Sequence, residues 1–157
     1  MTQQLLKFDK DSKKLFGGLW HNQHGSEAEF SIGVRGEVEG VFRIQHPVRG
    51  TVSSYPITGF AQGDIIVFAV MFPEFGCGTS WAGQVGQSDA NGDAETLYTL
   101  WHMTVRVGLQ SKNSLWKSML CGADNFQRGA SKEHPLTNTA ASHPLWCSED
   151  WDPEADA

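Results

Sequence analysis

The 157-residue sequence predicts an all-β domain, folded as an eight-stranded antiparallel up-and-down β-barrel. Three observations point to this class. Eight short strand-like segments fall within about 110 residues, turn-forming residues separate them, and no longer window shows a 3.6-residue period with capping signals. Because short turns join consecutive segments, an up-and-down barrel is favoured over a β-sandwich, which is the alternative. Eight strands enclose just enough space for one small ligand.

Residues that favour tight turns separate the predicted strands. Arg35-Gly36 follows the second strand, Gln62-Gly63 precedes the fifth, and Val107-Gly108 ends the seventh. Asn91-Gly92, between the sixth and seventh, is the strongest hairpin signal because both residues tolerate the positive φ of such turns. In chain order the strands are predicted over Gly18–His21, Ala28–Val34, Glu37–Gln45, Tyr55–Ala61, Asp64–Phe72, Thr79–Gln87, Glu95–Val107 and Leu115–Phe126.

Period-two alternation predicts which side chains share a face of each strand. On the last three strands it groups tryptophans with hydroxyl, thiol and carboxylate groups, whereas a plain core would hold leucine, valine and isoleucine. Such a mixture fits a pocket for a ligand with a polar head group. The alternative is that the tryptophans are core or oligomer contacts and Asp124 is a solvated charge. The groups of equal parity are Cys77, Thr79 and Trp81; Thr99 and Trp101; and Trp116 and Asp124.

The chain is predicted to have three parts, of which the last is distinguished by its charge. The sequence has 18 acidic and 12 basic side chains, a net charge of -6, and no basic surface typical of a nucleic-acid-binding protein. Six of the acidic residues lie in 131–157, so residues 129–157 are predicted to be a flexible acidic extension. We expect residues 1–16 to form an N-terminal extension and residues 17–128 to form the barrel.

Targeting and catalytic signals are weak in this sequence. No apolar run approaches the roughly 20 residues that span a bilayer, and the first residues do not resemble a secretory signal. The location is therefore left open: secreted if a signal was removed, otherwise cytoplasmic. Three cysteines, an odd count, predict mostly reduced thiols, and no dense Cys/His spacing indicates a metal site. No catalytic motif is found, so we expect neither enzymatic activity nor a cofactor.

Several segments of the sequence, in order and with compatible spacing, carry a resemblance to a known family. They are Gly18-Leu19-Trp20-His21-Asn22-Gln23-His24-Gly25-Ser26, Tyr55-Pro56-Ile57-Thr58-Gly59, Thr79-Ser80-Trp81-Ala82-Gly83-Gln84, Leu100-Trp101, Trp116-Lys117-Ser118 and Gly122-Ala123-Asp124-Asn125-Phe126. Over roughly residues 17–128 they resemble the avidin–streptavidin family of biotin-binding proteins. The resemblance implies an eight-stranded barrel, usually a tetramer or dimer, that holds biotin at one open end.

The resemblance also assigns roles to individual polar residues. Asn22 and Ser26 match positions that hydrogen-bond the ureido carbonyl oxygen of biotin. Asp124 matches the carboxylate that accepts a ureido N–H, and Thr79 matches the hydroxyl that faces the thioether sulfur. This set is chemically coherent, because donors meet the carbonyl and an acceptor meets the N–H.

Three tryptophans match the aromatic part of the family's site. Trp81 and Trp101 match walls of the pocket. Trp116 matches the tryptophan that tetrameric members lend to a neighbouring subunit. On this ground we expect a homo-oligomer, with a tetramer favoured over a dimer.

Other positions depart from the family pattern. Phe42 stands where a tyrosine donates a third hydrogen bond to the ureido oxygen, and Ile44 where a polar residue usually contacts the ureido group. Phe72 replaces a wall tryptophan, and Cys77 replaces a hydroxyl near the valeryl end. Residues 46–50 replace a loop that typically covers the ligand. We therefore expect biotin to bind with moderate to high affinity, below that of the tightest members.

Two alternatives to biotin binding follow from the same residues. The apolar substitutions at the head-group end would suit a more hydrophobic ligand. Alternatively, the barrel would be an oligomeric interaction scaffold whose pocket is filled by its own C-terminal extension, which carries two leucines and two tryptophans.

Overall fold

A computed structural model describes residues 12–45, 50–87, 95–106 and 118–136. Within these ranges, eight strands form one closed barrel, in which consecutive strands pair antiparallel and the last strand pairs with the first. This closure confirms the predicted barrel and excludes the sandwich. The strands are β1 (Gly18–Asn22), β2 (Glu27–Ile32), β3 (Glu37–Gln45), β4 (Val52–Gln62), β5 (Ile65–Phe72), β6 (Cys77–Gln87), β7 (Glu95–Val105) and β8 (Met119–Arg128).

Strand β3 has the bounds that the sequence predicts, while other strands differ at their ends. β4 begins three residues earlier than predicted because Ser53 and Ser54 pair with Ile44 and Arg43 of β3, despite their polar side chains. β8 begins at Met119 and ends two residues later than predicted, while residues 115–117 of the predicted strand lie outside the described residues. The predicted hairpin at Asn91-Gly92 and the turn at Val107-Gly108 lie outside the described residues.

The barrel interior is built by the predicted alternation. Along β5, residues Ile66, Phe68, Val70 and Phe72 are buried, and the residues between them are exposed. On β6 the parity group of Cys77, Thr79 and Trp81 is buried, and on β7 Thr99 is buried while Trp101 is half-buried. These inward-facing positions are confirmed. Ser118 lies outside β8, so the structure does not support the unbroken strand that would link Trp116 to Asp124.

Residues 12–16 form a helical turn that closes one end of the barrel. Phe16 is fully buried, and its main-chain oxygen accepts a hydrogen bond from Trp20 Nε1 over 2.9 Å. Ser12 Oγ donates to the oxygen of Gly63 in the β4–β5 turn over 2.8 Å. Arg128 lies over the Trp20 ring, 4.3 Å from its centroid. The other end of the barrel, at the β1–β2 turn, is its mouth.

After β8 the chain turns back along β1, and we call residues 129–136 the return segment. The rest of the predicted acidic extension lies outside the described residues. No helix in the described ranges has the length and hydropathy needed to cross a membrane.

Candidate functional site

Asn22 and Ser26 lie at the barrel mouth, at the two ends of the β1–β2 turn, and both side chains are buried. The main-chain N–H groups of His24 and Ser26 each donate to Asn22 Oδ1 over 3.0 Å. The N–H of Gly25 donates to the main-chain oxygen of Asn22, also over 3.0 Å. Because these bonds hold Oδ1 in the turn, the Nδ2 end of the amide is the end that can donate to a ligand.

Asp124 lies on β8, and its buried carboxylate accepts two hydrogen bonds from side chains in the described part of the chain. Trp81 Nε1 donates to Oδ2 over 2.8 Å, and Gln23 Nε2 donates to Oδ1 over 3.0 Å. Thr99 Oγ1 donates to the main-chain oxygen of Asp124 over 2.9 Å. A carboxylate accepts about four hydrogen bonds, so capacity remains for an N–H group of a ligand.

Gln23 joins the β1–β2 turn to β8, a role that the sequence reasoning missed. Besides Asp124, its Nε2 atom contacts the oxygen of Ala123 over 3.1 Å, and its Oε1 atom accepts the Asn125 N–H over 3.0 Å. Gln23 therefore places the turn that carries Asn22 next to the carboxylate. The signal available in the sequence was its position directly after Asn22.

Thr79 provides a buried hydroxyl that no described residue of the chain pairs with. The residue is 4% exposed, and Oγ1 forms no hydrogen bond among the described residues. An unpaired buried hydroxyl costs about 1–3 kcal/mol, so an acceptor supplied by a ligand would be favourable here. Thr96 Oγ1 also lacks a hydrogen-bond partner among the described residues, but it lies toward the closed end of the barrel. Thr79 differs from it by lying on the strand that also carries Trp81.

Aromatic rings fill the interior beside these polar groups. Trp81 stacks on Phe68 with centroids 4.9 Å apart and planes 10° from parallel, and it contacts Phe42 on another side at 5.1 Å. Phe72 packs edge-on against Phe42 at 5.9 Å and against Tyr55 at 4.8 Å. The sequence reasoning did not single out Phe68 or Tyr55 as site residues. Their rings extend the aromatic wall that it predicted from tryptophans.

Trp101 is half-buried and packs against β8. Its Cα pairs with that of Gly122, and a Cβ placed on Gly122 would overlap with the indole atom Cζ2. The missing side chain therefore makes room for the ring. Trp101 lies opposite Trp81 in the β6–β7 register. The two tryptophans predicted to form walls of the pocket therefore lie on adjacent strands, at the same level of the barrel.

The four positions that depart from the family pattern all face the interior. Phe42, Ile44, Phe72 and Cys77 are buried. Phe42 therefore brings no hydroxyl to the interior, and Ile44 brings no polar side-chain atom. Burial raises the pKa of the Cys77 thiol to about 11, so it is protonated at neutral pH and is only a weak donor.

Two parts of the predicted site lie outside the described residues. One is Trp116, the tryptophan expected to reach a neighbouring subunit. The other is residues 46–49 of the β3–β4 loop, which were predicted to replace a loop over the ligand. The predicted donors, acceptor and remaining aromatic residues are all described.

The chain is similar to known proteins both in sequence and in fold. Residues 10–129 match the family model described as the avidin family. The biotin binding protein from chicken is 25% identical with a TM-score of 0.63, covering 74% of this chain and 98% of that chain. Xenavidin is 24% identical with a TM-score of 0.62, covering 74% and 99%. A rhizavidin–biotin complex is 24% identical with a TM-score of 0.57, covering 73% and 93%. No curated protein matches the chain.

Proposed function

The chain belongs to the avidin family, and from that premise we propose that it binds biotin in the barrel mouth without catalysing a reaction. One observation carries the proposal. Gln23, within the turn between Asn22 and Ser26, donates a hydrogen bond to the Asp124 carboxylate on the last strand. Two donors and one acceptor therefore belong to a single hydrogen-bonded unit inside a barrel of aromatic side chains.

A cyclic urea needs donors at its oxygen and an acceptor at its N–H group. Asn22 Nδ2 and the Ser26 hydroxyl are the proposed donors, and Asp124 is the proposed acceptor. The unpaired hydroxyl of Thr79 is the proposed partner of the thioether sulfur. The buried rings around Trp81 supply the flat apolar surface that a fused bicyclic ligand requires.

The proposed affinity is lower than that of the tightest biotin-binding proteins. Phe42 cannot donate the third hydrogen bond to the ureido oxygen, and one lost buried hydrogen bond costs about 1–3 kcal/mol. At about 1.4 kcal/mol per decade, this loss weakens binding roughly five- to more than 100-fold. Biotin–streptavidin lies near the ceiling of non-covalent affinity, so useful binding would survive the loss.

We further propose that the chain forms a homo-oligomer, with a tetramer favoured over a dimer. The outer face of the barrel supports self-association, because large apolar side chains are exposed on β4, β5 and β7, among them Phe60, Met71 and Leu100. On the same face, Leu100 borders a groove of about 510 Å³ that the small exposed residues Ser80 and Ala82 also line. Exposed apolar surface of this kind is typical of protein–protein contacts.

Calorimetric titration with biotin tests the binding proposal. We expect saturable heat with one site per chain, and we expect Asp124→Asn to weaken binding at least fivefold because the acceptor loses its charge. Asp64→Asn is the matched control, since Asp64 is exposed in the β4–β5 turn at the closed end. Absence of heat at high micromolar biotin, in a folded protein, would contradict the proposal.

A further inference from the structure

The return segment runs along the outside of β1, from the level of Leu19 toward the barrel mouth. The N–H of Gly129 donates to the Leu19 oxygen over 2.8 Å, and His21 Nδ1 lies 2.7 Å from the Gly129 oxygen. Because a carbonyl oxygen only accepts, Nδ1 carries the proton of this bond. Further along, Ser131 is buried, and its hydroxyl accepts the His134 N–H over 2.9 Å.

The return segment meets the β1–β2 turn at Gly25. The φ angle of Gly25 is 84°, in the left-handed region that favours glycine. A Cβ placed there would overlap with the main-chain oxygen of His134. The two backbones are therefore packed directly against each other, and the buried Gly25 has no room to move outward.

The turn that the return segment contacts is the one that carries the proposed binding groups. Asn22 and Ser26 are its ends, and hydrogen bonds to Asn22 Oδ1 hold its shape. Gln23, in the same turn, donates to Asp124. Displacement of this turn would move both donors and would withdraw one of the two protein hydrogen bonds of the acceptor.

We propose that the return segment is a positioning element of the biotin site, which holds the β1–β2 turn in its binding geometry from outside the barrel. This inference rests on the proposed function. Preorganised donors increase affinity because less ordering occurs on binding. Changes of this kind appear mainly in the dissociation rate, so loss of the return segment should speed the release of biotin.

Two shortened chains separate the return segment from the rest of the extension. A variant ending at Leu136 keeps the segment, and we expect it to release biotin at the rate of the full chain. A variant ending at Arg128 lacks it, and we expect release about tenfold faster, which corresponds to the loss of about one hydrogen bond's contribution. The measurement is displacement of labelled biotin by excess unlabelled biotin.

Point substitutions in the full chain test the same contact without shortening it. His21→Ala removes the donor to Gly129, and we expect release about threefold to tenfold faster. His21→Asn is the conservative variant, because an Asn amide N–H can occupy a place similar to Nδ1, and we expect it to restore slow release. Ser12→Ala is the matched control: it removes a hydrogen bond at the closed end, so it should lower the melting temperature and leave release unchanged.

The outcomes distinguish this inference from the function on which it rests. No biotin binding by the full chain would overturn both. Binding by the full chain with equal release from the variant ending at Arg128 would overturn the positioning role and leave the function standing. Slower release from the variant ending at Arg128 would show that the extension competes with biotin, and would also overturn the positioning role. If that variant does not fold, equal release from His21→Ala and the full chain overturns the inference.

Discussion

Trp81 and Asp124 are joined by a buried hydrogen bond of 2.8 Å from the indole Nε1 to the carboxylate Oδ2. The bond links β6 to β8 across the barrel interior, since β7 lies between them in the sheet. It makes the aromatic wall and the proposed acceptor parts of one structure. A substitution of Trp81 should therefore change how the Asp124 carboxylate is held.

Trp81→Phe tests this link. Phenylalanine keeps apolar contact with Phe68 and Phe42 but removes the N–H donor to Asp124. We expect biotin affinity to fall about fivefold to 100-fold, because the carboxylate loses one of its two positioning bonds. Calorimetry measures the affinity, and circular dichroism checks the fold. Unchanged affinity in the folded variant would show that the bond does not position the acceptor.

Phe42→Tyr should tighten biotin binding. The new hydroxyl would supply a third donor near the head group, and a gained hydrogen bond is expected to improve affinity about fivefold or more. Phe60→Tyr makes the same chemical change on the exposed outer face and should have no effect. Equal or weaker binding by Phe42→Tyr, measured by biotin dissociation rate, would contradict the assignment of Phe42 to the head-group region.

Thr79→Val should raise stability and weaken biotin binding together. Removal of an unpaired buried hydroxyl is expected to raise the melting temperature of the ligand-free protein by about 2–4 °C, while removing the proposed partner of the sulfur. Thr96→Val is the control, because its buried hydroxyl also lacks a partner among the described residues but lies away from the proposed site. It should raise the melting temperature alone. Weakened binding in both variants would count against a specific role for Thr79.

Cys77 should react slowly with iodoacetamide at pH 8, whereas the exposed Cys121 reacts readily. Burial raises the Cys77 pKa from 9.0 to about 11, so on the order of one thiol in a thousand is ionised at pH 8. Mass spectrometry of peptides measures each rate. Equal labelling of both residues in the folded protein would contradict the burial.

The same shift predicts a pH dependence of stability. Above about pH 9 the thiol ionises in the unfolded chain before it ionises in the folded protein. The free energy of unfolding should therefore fall between about pH 9 and pH 11, and Cys77→Ala should make this fall less steep. Urea titrations of both proteins across that range provide the comparison.

Leu100→Glu should break the proposed homo-oligomer. Leu100 is 71% exposed and borders the groove on the outer face, so a charge there would be buried at cost in an interface. Val34→Glu, in the β2–β3 turn, is an exposed control. Analytical ultracentrifugation reports the mass. A full chain that sediments as a monomer at micromolar concentration would contradict the oligomer itself.

Local patterns predicted much of the fold. Alternation on β6 placed Cys77, Thr79 and Trp81 on the inward face, because successive side chains of a strand point to opposite sides. Strand ends were predicted less well. The ends of β4 and β8 depend on pairing with neighbouring strands, and Ser53 and Ser54 are held in β4 by their partners on β3 and not by their own side chains.

The sequence by itself determined the strand number, the inward-facing residues and the ordered motifs that identify the family. Only the tertiary structure decided that Gln23 bonds to Asp124, 101 residues away, and that the return segment packs on Gly25. The reason is that a period of two fixes a face but not a partner. Closure of the barrel, in which β8 pairs with β1, brings the first turn to the last strand. A local sequence pattern does not predict a contact between residues so far apart in the chain.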